Sequence, residues 1–118
     1  MNVEQFREFC LSKKGVSESF PFDENALVFK VLNKMFALTS LGAEEFAVSL
    51  KCNPEKAIEL REEFDSIVPA FHMNKKHWNS VNVVRLLDDT LFIELVNHSY
   101  ELVVKGMTKK DRALLASL

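Results

Sequence analysis

From Ser19 to Lys51 the apolar residues recur every second position, in short runs separated by turn residues, whereas the flanking segments keep a helical period. Leu27, Phe29 and Val31 alternate with Val28 and Lys30. Met35 to Thr39 forms the return run, and Phe46, Val48 and Leu50 then alternate with Ala47, Ser49 and Lys51. The series opens with Ser19-Phe20-Pro21-Phe22, where Pro21 lacks a ladder N–H and so marks an edge strand or strand entry. Leu32-Asn33-Lys34 reads as a hairpin turn because Asn33 tolerates positive φ, and Ser40-Leu41-Gly42-Ala43 turns the chain again. These features predict an antiparallel meander of about four strands.

Helical signals bracket the meander. Asn2 with Gln5 forms a capping box, Val3, Phe6, Phe9 and Cys10 share one face, and Gly15 supplies a left-handed stop, giving a helix over about residues 3–13. Asn53-Pro54 starts a second helix with Ala57, Leu60 and Phe64 inward. Val81 to Leu86 reads as one more strand. Asp88-Asp89 then caps a long helix to about Val104, and Thr108 with Asp111 opens a last short helix. The order is α-β-β-β-β-α-β-α-α. This is an α+β chain with an antiparallel sheet of about five strands, helices on one face and the other face free to bind.

The 118 residues, 47% hydrophobic and 27% charged, suit a single domain spanning 1–118 with its own core. No apolar run is long enough for a membrane span, and the N-terminus has no signal-peptide pattern. Cys10 and Cys52 are expected as free thiols in a cytoplasmic protein. A net charge of −2 argues against strong nonspecific nucleic-acid binding, so any cationic surface must be a local patch.

Such a patch is visible. The window Ser66 to Leu87 contains no Asp or Glu, yet holds His72, Lys75, Lys76, His77 and the only tryptophan, Trp78. Lys30 and Lys51 fall out of phase with the inward residues of their strands, which places them on the free face beside the turn residue Lys34. Trp78 has two readings, a core plug or a stacking platform, with the core reading ahead. Lysines on exposed strands also serve simply to discourage edge pairing.

Several stretches together resemble the MmcQ/YjbR-like family: Glu18-Ser19-Phe20-Pro21-Phe22-Asp23, Phe29-Lys30-Val31 with Lys34-Met35-Phe36-Ala37, Leu50-Lys51-Cys52-Asn53-Pro54, Asn74-Lys75-Lys76-His77-Trp78-Asn79 and Ser99-Tyr100-Glu101-Leu102-Val103. The resemblance spans nearly the whole chain. It implies a frataxin-like (CyaY-like) fold, described for that family as a double-wing DNA-binding domain. An iron-handling role would need clustered carboxylates on the first helix, where only Glu4 and Glu8 occur.

The resulting expectation is a monomeric DNA-binding module, weak and largely sequence-nonspecific. Its contacts would be Lys30, Lys34, Lys51, Lys75, Lys76, His77 and Trp78 on double-stranded DNA. No cofactor, metal or catalytic group is expected. His72 and His77 lack a metal-ligand spacing, and a Cys52/His77 pair lacks an orienting third group. Two alternatives stand beside it: a small-ligand protein with a pocket of Cys52, His72 and His77, or a protein–protein adaptor with an apolar patch near Leu115 and Leu118.

Overall fold

A computed structural model describes all of residues 1–118. Helix α1 (Val3–Leu11) is followed by strands β1 (Val16–Ser19), β2 (Ala26–Val31), β3 (Lys34–Ser40) and β4 (Ala47–Lys51). Helix α2 (Pro54–Glu63), strands β5 (Ile67–Pro69) and β6 (Trp78–Asn82), and helices α3 (Val83–Leu86), α4 (Asp89–Lys105) and α5 (Lys109–Ala116) complete the chain. The sheet has six strands in the order β1-β2-β3-β4-β6-β5, and every neighbouring pair is antiparallel. No helix is long and apolar enough to cross a membrane.

The expected α+β class and the antiparallel meander are present, with three local differences. The first strand lies at Val16–Ser19 rather than Ser19–Phe22. Pro21 cannot donate to a ladder, and Asp23 Oδ1 instead accepts from the N–H groups of Asn25 and Ala26, both at 2.8 Å, which rounds residues 20–25 into a loop. The strand expected over Val81–Leu86 is Trp78–Asn82. Asn82 Oδ1 accepts from Arg85 N–H at 3.1 Å and starts a single helical turn that ends at Leu87 with φ 55°. The sixth strand, β5, is too short to show alternation in sequence. It is held by pairing to β6 and by Ala70 N–H donating to Trp78 O at 3.1 Å.

The helices pack on one face of the sheet around Phe6, Phe29, Phe36 and Phe92, all fully buried. Phe6 meets the Phe29 ring edge-on at a centroid distance of 5.3 Å. Two lateral rows of strand residues face this core, Leu27–Thr39–Val48–Val81–Ile67 and Phe29–Ala37–Leu50–Asn79–Pro69, joined by Val31 and Phe36. At the edge of the β3–β4 ladder the hydroxyl of Ser99, on α4, donates to Phe36 O and accepts from Lys51 N–H. A helix side chain thereby completes a ladder that the two backbones leave open.

Candidate functional site

The opposite face is open over most of its width, although Val28, on β2, is fully buried there. The row Val28–Leu38–Ser49–Ser80–Val68 crosses it, each residue paired with the next across one ladder. Leu38, Ser49, Ser80 and Val68 form the floor of a groove of about 840 Å³, with Met35, Ala26, Ser40 and Trp78 alongside. One wall is the β1–β2 loop with Phe22 and Asp23. The other is the β5–β6 loop with Ala70, Phe71, His72, Met73 and Asn74. Phe22 is 69% exposed and Phe71 is 71% exposed, a large aromatic surface to leave in water at the rim of a single groove.

Pairing places the expected contact residues. Lys30 opposes Met35 and Lys51 opposes Trp78, and both partners line the groove. Directly opposed residues of an antiparallel pair share a face, so Lys30 and Lys51 stand on the open side as expected. Lys34 does not. It opposes Val31, which is buried in the core, because a register shift between Phe29 and Lys30 turns Lys34 toward the helix side of the hairpin. Trp78 is half-buried in the groove rather than plugged into the core. Lys75 and Lys76 are exposed on the β5–β6 loop, and the Lys75 ammonium lies 5.3 Å from the Phe71 ring centroid. His77 is half-buried just before Trp78, while His72 lines the groove.

The pocket of Cys52, His72 and His77 does not form. Cys52 meets His77 only through the backbone, its N–H donating to His77 O at 2.7 Å. Its thiol sits in the core, where burial raises its pKa. His98 is turned inward, with Nε2 accepting from Asn53 N–H at 3.2 Å, and burial followed by the charge of Lys56 lowers its pKa. No three His, Cys, Asp or Glu side chains converge in a way that can hold a metal ion. Of the two C-terminal residues expected in an apolar patch, Leu115 is buried, while Leu118 is exposed together with Leu114.

Arg61, on α2, organises the β5–β6 loop from behind. Its Nε donates to Asn79 Oδ1 at 2.6 Å, and its guanidinium also reaches the carbonyls of Lys75 and Trp78. Asn74 closes the turn, accepting from Lys76 N–H through its side chain at 2.9 Å and from Trp78 N–H through its carbonyl at 2.9 Å. The aromatic–cationic wall is therefore a built turn.

Charge is sorted along the strands. The loops at the end where β2 and β4 begin carry Asp23, Glu24, Glu44, Glu45 and Asp65. At the other end Lys30, Lys51, Lys75 and Lys76 gather, and the connecting segments 32–33, 52–53 and 70–77 contain no acid. Lys30, Lys51 and Trp78 lie across the strands at that basic end, so the positive surface is a short line rather than a field over the whole face.

Comparison with known proteins follows this architecture. The family model described as YjbR matches residues 11–102. The YjbR protein of Escherichia coli is 33% identical over 118 residues, covering 100% of both chains. The YbdF protein of Escherichia coli O157:H7 is 35% identical over 109 residues, covering 92% of this chain and 89% of its own. A crystal structure from Deinococcus radiodurans superposes with a TM-score of 0.90 at 41% identity, covering 98% of this chain and 88% of that one. A crystal structure from Pseudomonas syringae gives a TM-score of 0.74 at 28% identity, covering 86% and 98%.

Proposed function

The chain belongs to the YjbR family, and we propose that its open sheet face binds nucleic acid through an unpaired strand, weakly and with little base specificity. The observation that carries this reading is the pairing of a lysine with an aromatic ring at two places on one rim: Lys51 opposite Trp78, and Lys75 over Phe71. Phosphates would follow Lys30, Lys51 and Lys75, while bases turn into the groove and stack on Trp78 and Phe71. The half-buried Trp78 ring reaches bases that have left a duplex stack and misses those still inside it, so the ligand is a single strand rather than the duplex expected from sequence. The frataxin-like, double-wing description fits this proposal, with helices behind and an open sheet in front. The net charge of −2 and the acidic far end of the groove limit attraction, so affinity near physiological salt should be roughly 10⁻⁴–10⁻⁶ M.

Trp78 is the only tryptophan and thus a built-in reporter. Titration with oligothymidylate should quench its fluorescence, while duplex of equal length should do so more weakly. Unchanged emission with both would sink the proposal.

A second reading rests on the groove's volume of about 840 Å³ and largely hydrophobic lining, dimensions that suit a small apolar ligand. Quenching by a small aromatic dye, with none by oligonucleotide, would put that reading first. Either way the chain is read as a binding module rather than an enzyme, since no nucleophile in the groove is held against a base.

A further inference from the structure

We propose that, without another ligand, the open face is covered by a second copy of this chain in a face-to-face homodimer. Phe22, Val68 and Phe71 are exposed on this face, and no element of the same chain reaches over them. The accessible floor runs across β3, β4, β6 and β5 between two loop walls, and a standard interface takes ~800 Å² from each partner.

Charge sorting selects the occupant. A two-fold axis lying between the faces and perpendicular to the strands reverses the partner's strand direction. Each basic end then lies over an acidic end, with Lys75 and Lys76 above the Asp65 side and Lys30 above the Glu24 side. The complementary charges are free for this. Asp23 is engaged by its own turn and Glu45 by Arg85 at 2.8 Å, but Glu24, Glu44 and Asp65 have no cationic partner within the chain. Lys30, Lys75 and Lys76 likewise have no carboxylate. A net charge of only −2 leaves little repulsion between whole copies. The dimer replaces the monomer expected from sequence, and it would compete with a nucleic-acid strand for the same groove.

The test is sedimentation velocity on protein free of nucleic acid, so its outcome is separate from that of the strand-binding proposal. Wild type should shift from monomer to dimer with rising concentration. The triple variants Glu24→Lys/Glu44→Lys/Asp65→Lys and Lys30→Glu/Lys75→Glu/Lys76→Glu should each stay monomeric alone and form a heterodimer when mixed. Wild type monomeric throughout, either triple variant dimeric alone, or a mixture that stays monomeric would overturn the proposal. Should a triple variant fail to fold by circular dichroism, wild type decides the matter. Its dimer must weaken by about tenfold or more between low and molar salt, and a salt-insensitive dimer would reject it.

Discussion

The guanidinium of Arg61 and the amide of Asn79 meet at 2.6 Å beneath the sheet edge, and Asn79 is only 2% exposed. Through this contact α2 sets the position of β6 and of the turn before it. Arg61→Ala would leave Asn79 Oδ1 and Lys75 O without their donor, while Trp78 O keeps Ala70 N–H, at a cost of about 1–3 kcal/mol. Urea melts should show that loss. The Trp78 emission of the folded variant should also move toward that of exposed tryptophan. A variant as stable as wild type with unchanged emission would remove Arg61 from its organising role.

The lysines are placed on different faces of the sheet, so the proposed binding should depend on them unequally. Lys51→Ala and Lys75→Ala should each weaken oligothymidylate binding and flatten the salt dependence, whose wild-type slope of log K against log salt should be about −2 for the three phosphate contacts at about −0.7 each. Lys34→Ala should change neither, because its partner Val31 belongs to the buried face. Fluorescence titration across a salt series reads all three. Equal effects at Lys34 and Lys51 would contradict the register argument.

Burial pushes the Cys10 thiol from its usual 9.0 up to about 12, with nearby Lys13 acting in the opposite direction. A raised folded value means full stabilisation below about pH 9, where both states keep the proton, and a progressive loss as pH rises toward about 12. The urea midpoint of Cys10→Ala should therefore fall less steeply than wild type above about pH 9. Native protein should also react with a thiol reagent only on the timescale of opening, since Cys10 and Cys52 are both buried. Rapid labelling of two thiols in native protein would contradict this.

Gly15 adopts φ +74°, and a Cβ there would stand 2.5 Å from Leu115 Cδ1. Gly15→Ala combines a left-handed backbone penalty with a clash against α5, so a loss of about 1–3 kcal/mol is expected in thermal or urea melts. Shortening Leu115 to alanine in the same chain relieves the clash and leaves the backbone term. The two changes should therefore be non-additive. Strict additivity would show that α5 does not pack on this glycine.

Much of the fold is legible in the residues. Alternation around Phe29 and Val48 marks the meander, and Asn2, Asn53, Asp88 and Thr108 mark the helix starts. Each of these is a short-range signal. What escapes is set by contacts between distant segments. Ile67-Val68-Pro69 becomes a strand only because β6 is there to receive it. Lys34 changes face because of a register shift that single-strand alternation cannot show. The candidate site divides the same way. Lys51 and the cationic window point to the groove side of the sheet. Phe22, Met35 and Leu38 join Trp78 in one groove only through the sheet order. Arg61 looks like an ordinary helix-surface cation until β6 lies beneath it.

That sheet order also bears on how the groove comes into existence during folding. The meander of β1 to β4 is built from near-neighbour hairpins, which close quickly, whereas β4 must wait for β6, whose nearest paired residue, Trp78, follows Lys51 by 27 positions (78 − 51). A chain stopped before Trp78 would hold the acidic wall and part of the floor with nothing facing them. The proposed binding in this groove would thus require the finished chain, and the quenching of Trp78 by ligand would double as a kinetic marker for the last ladder to zip.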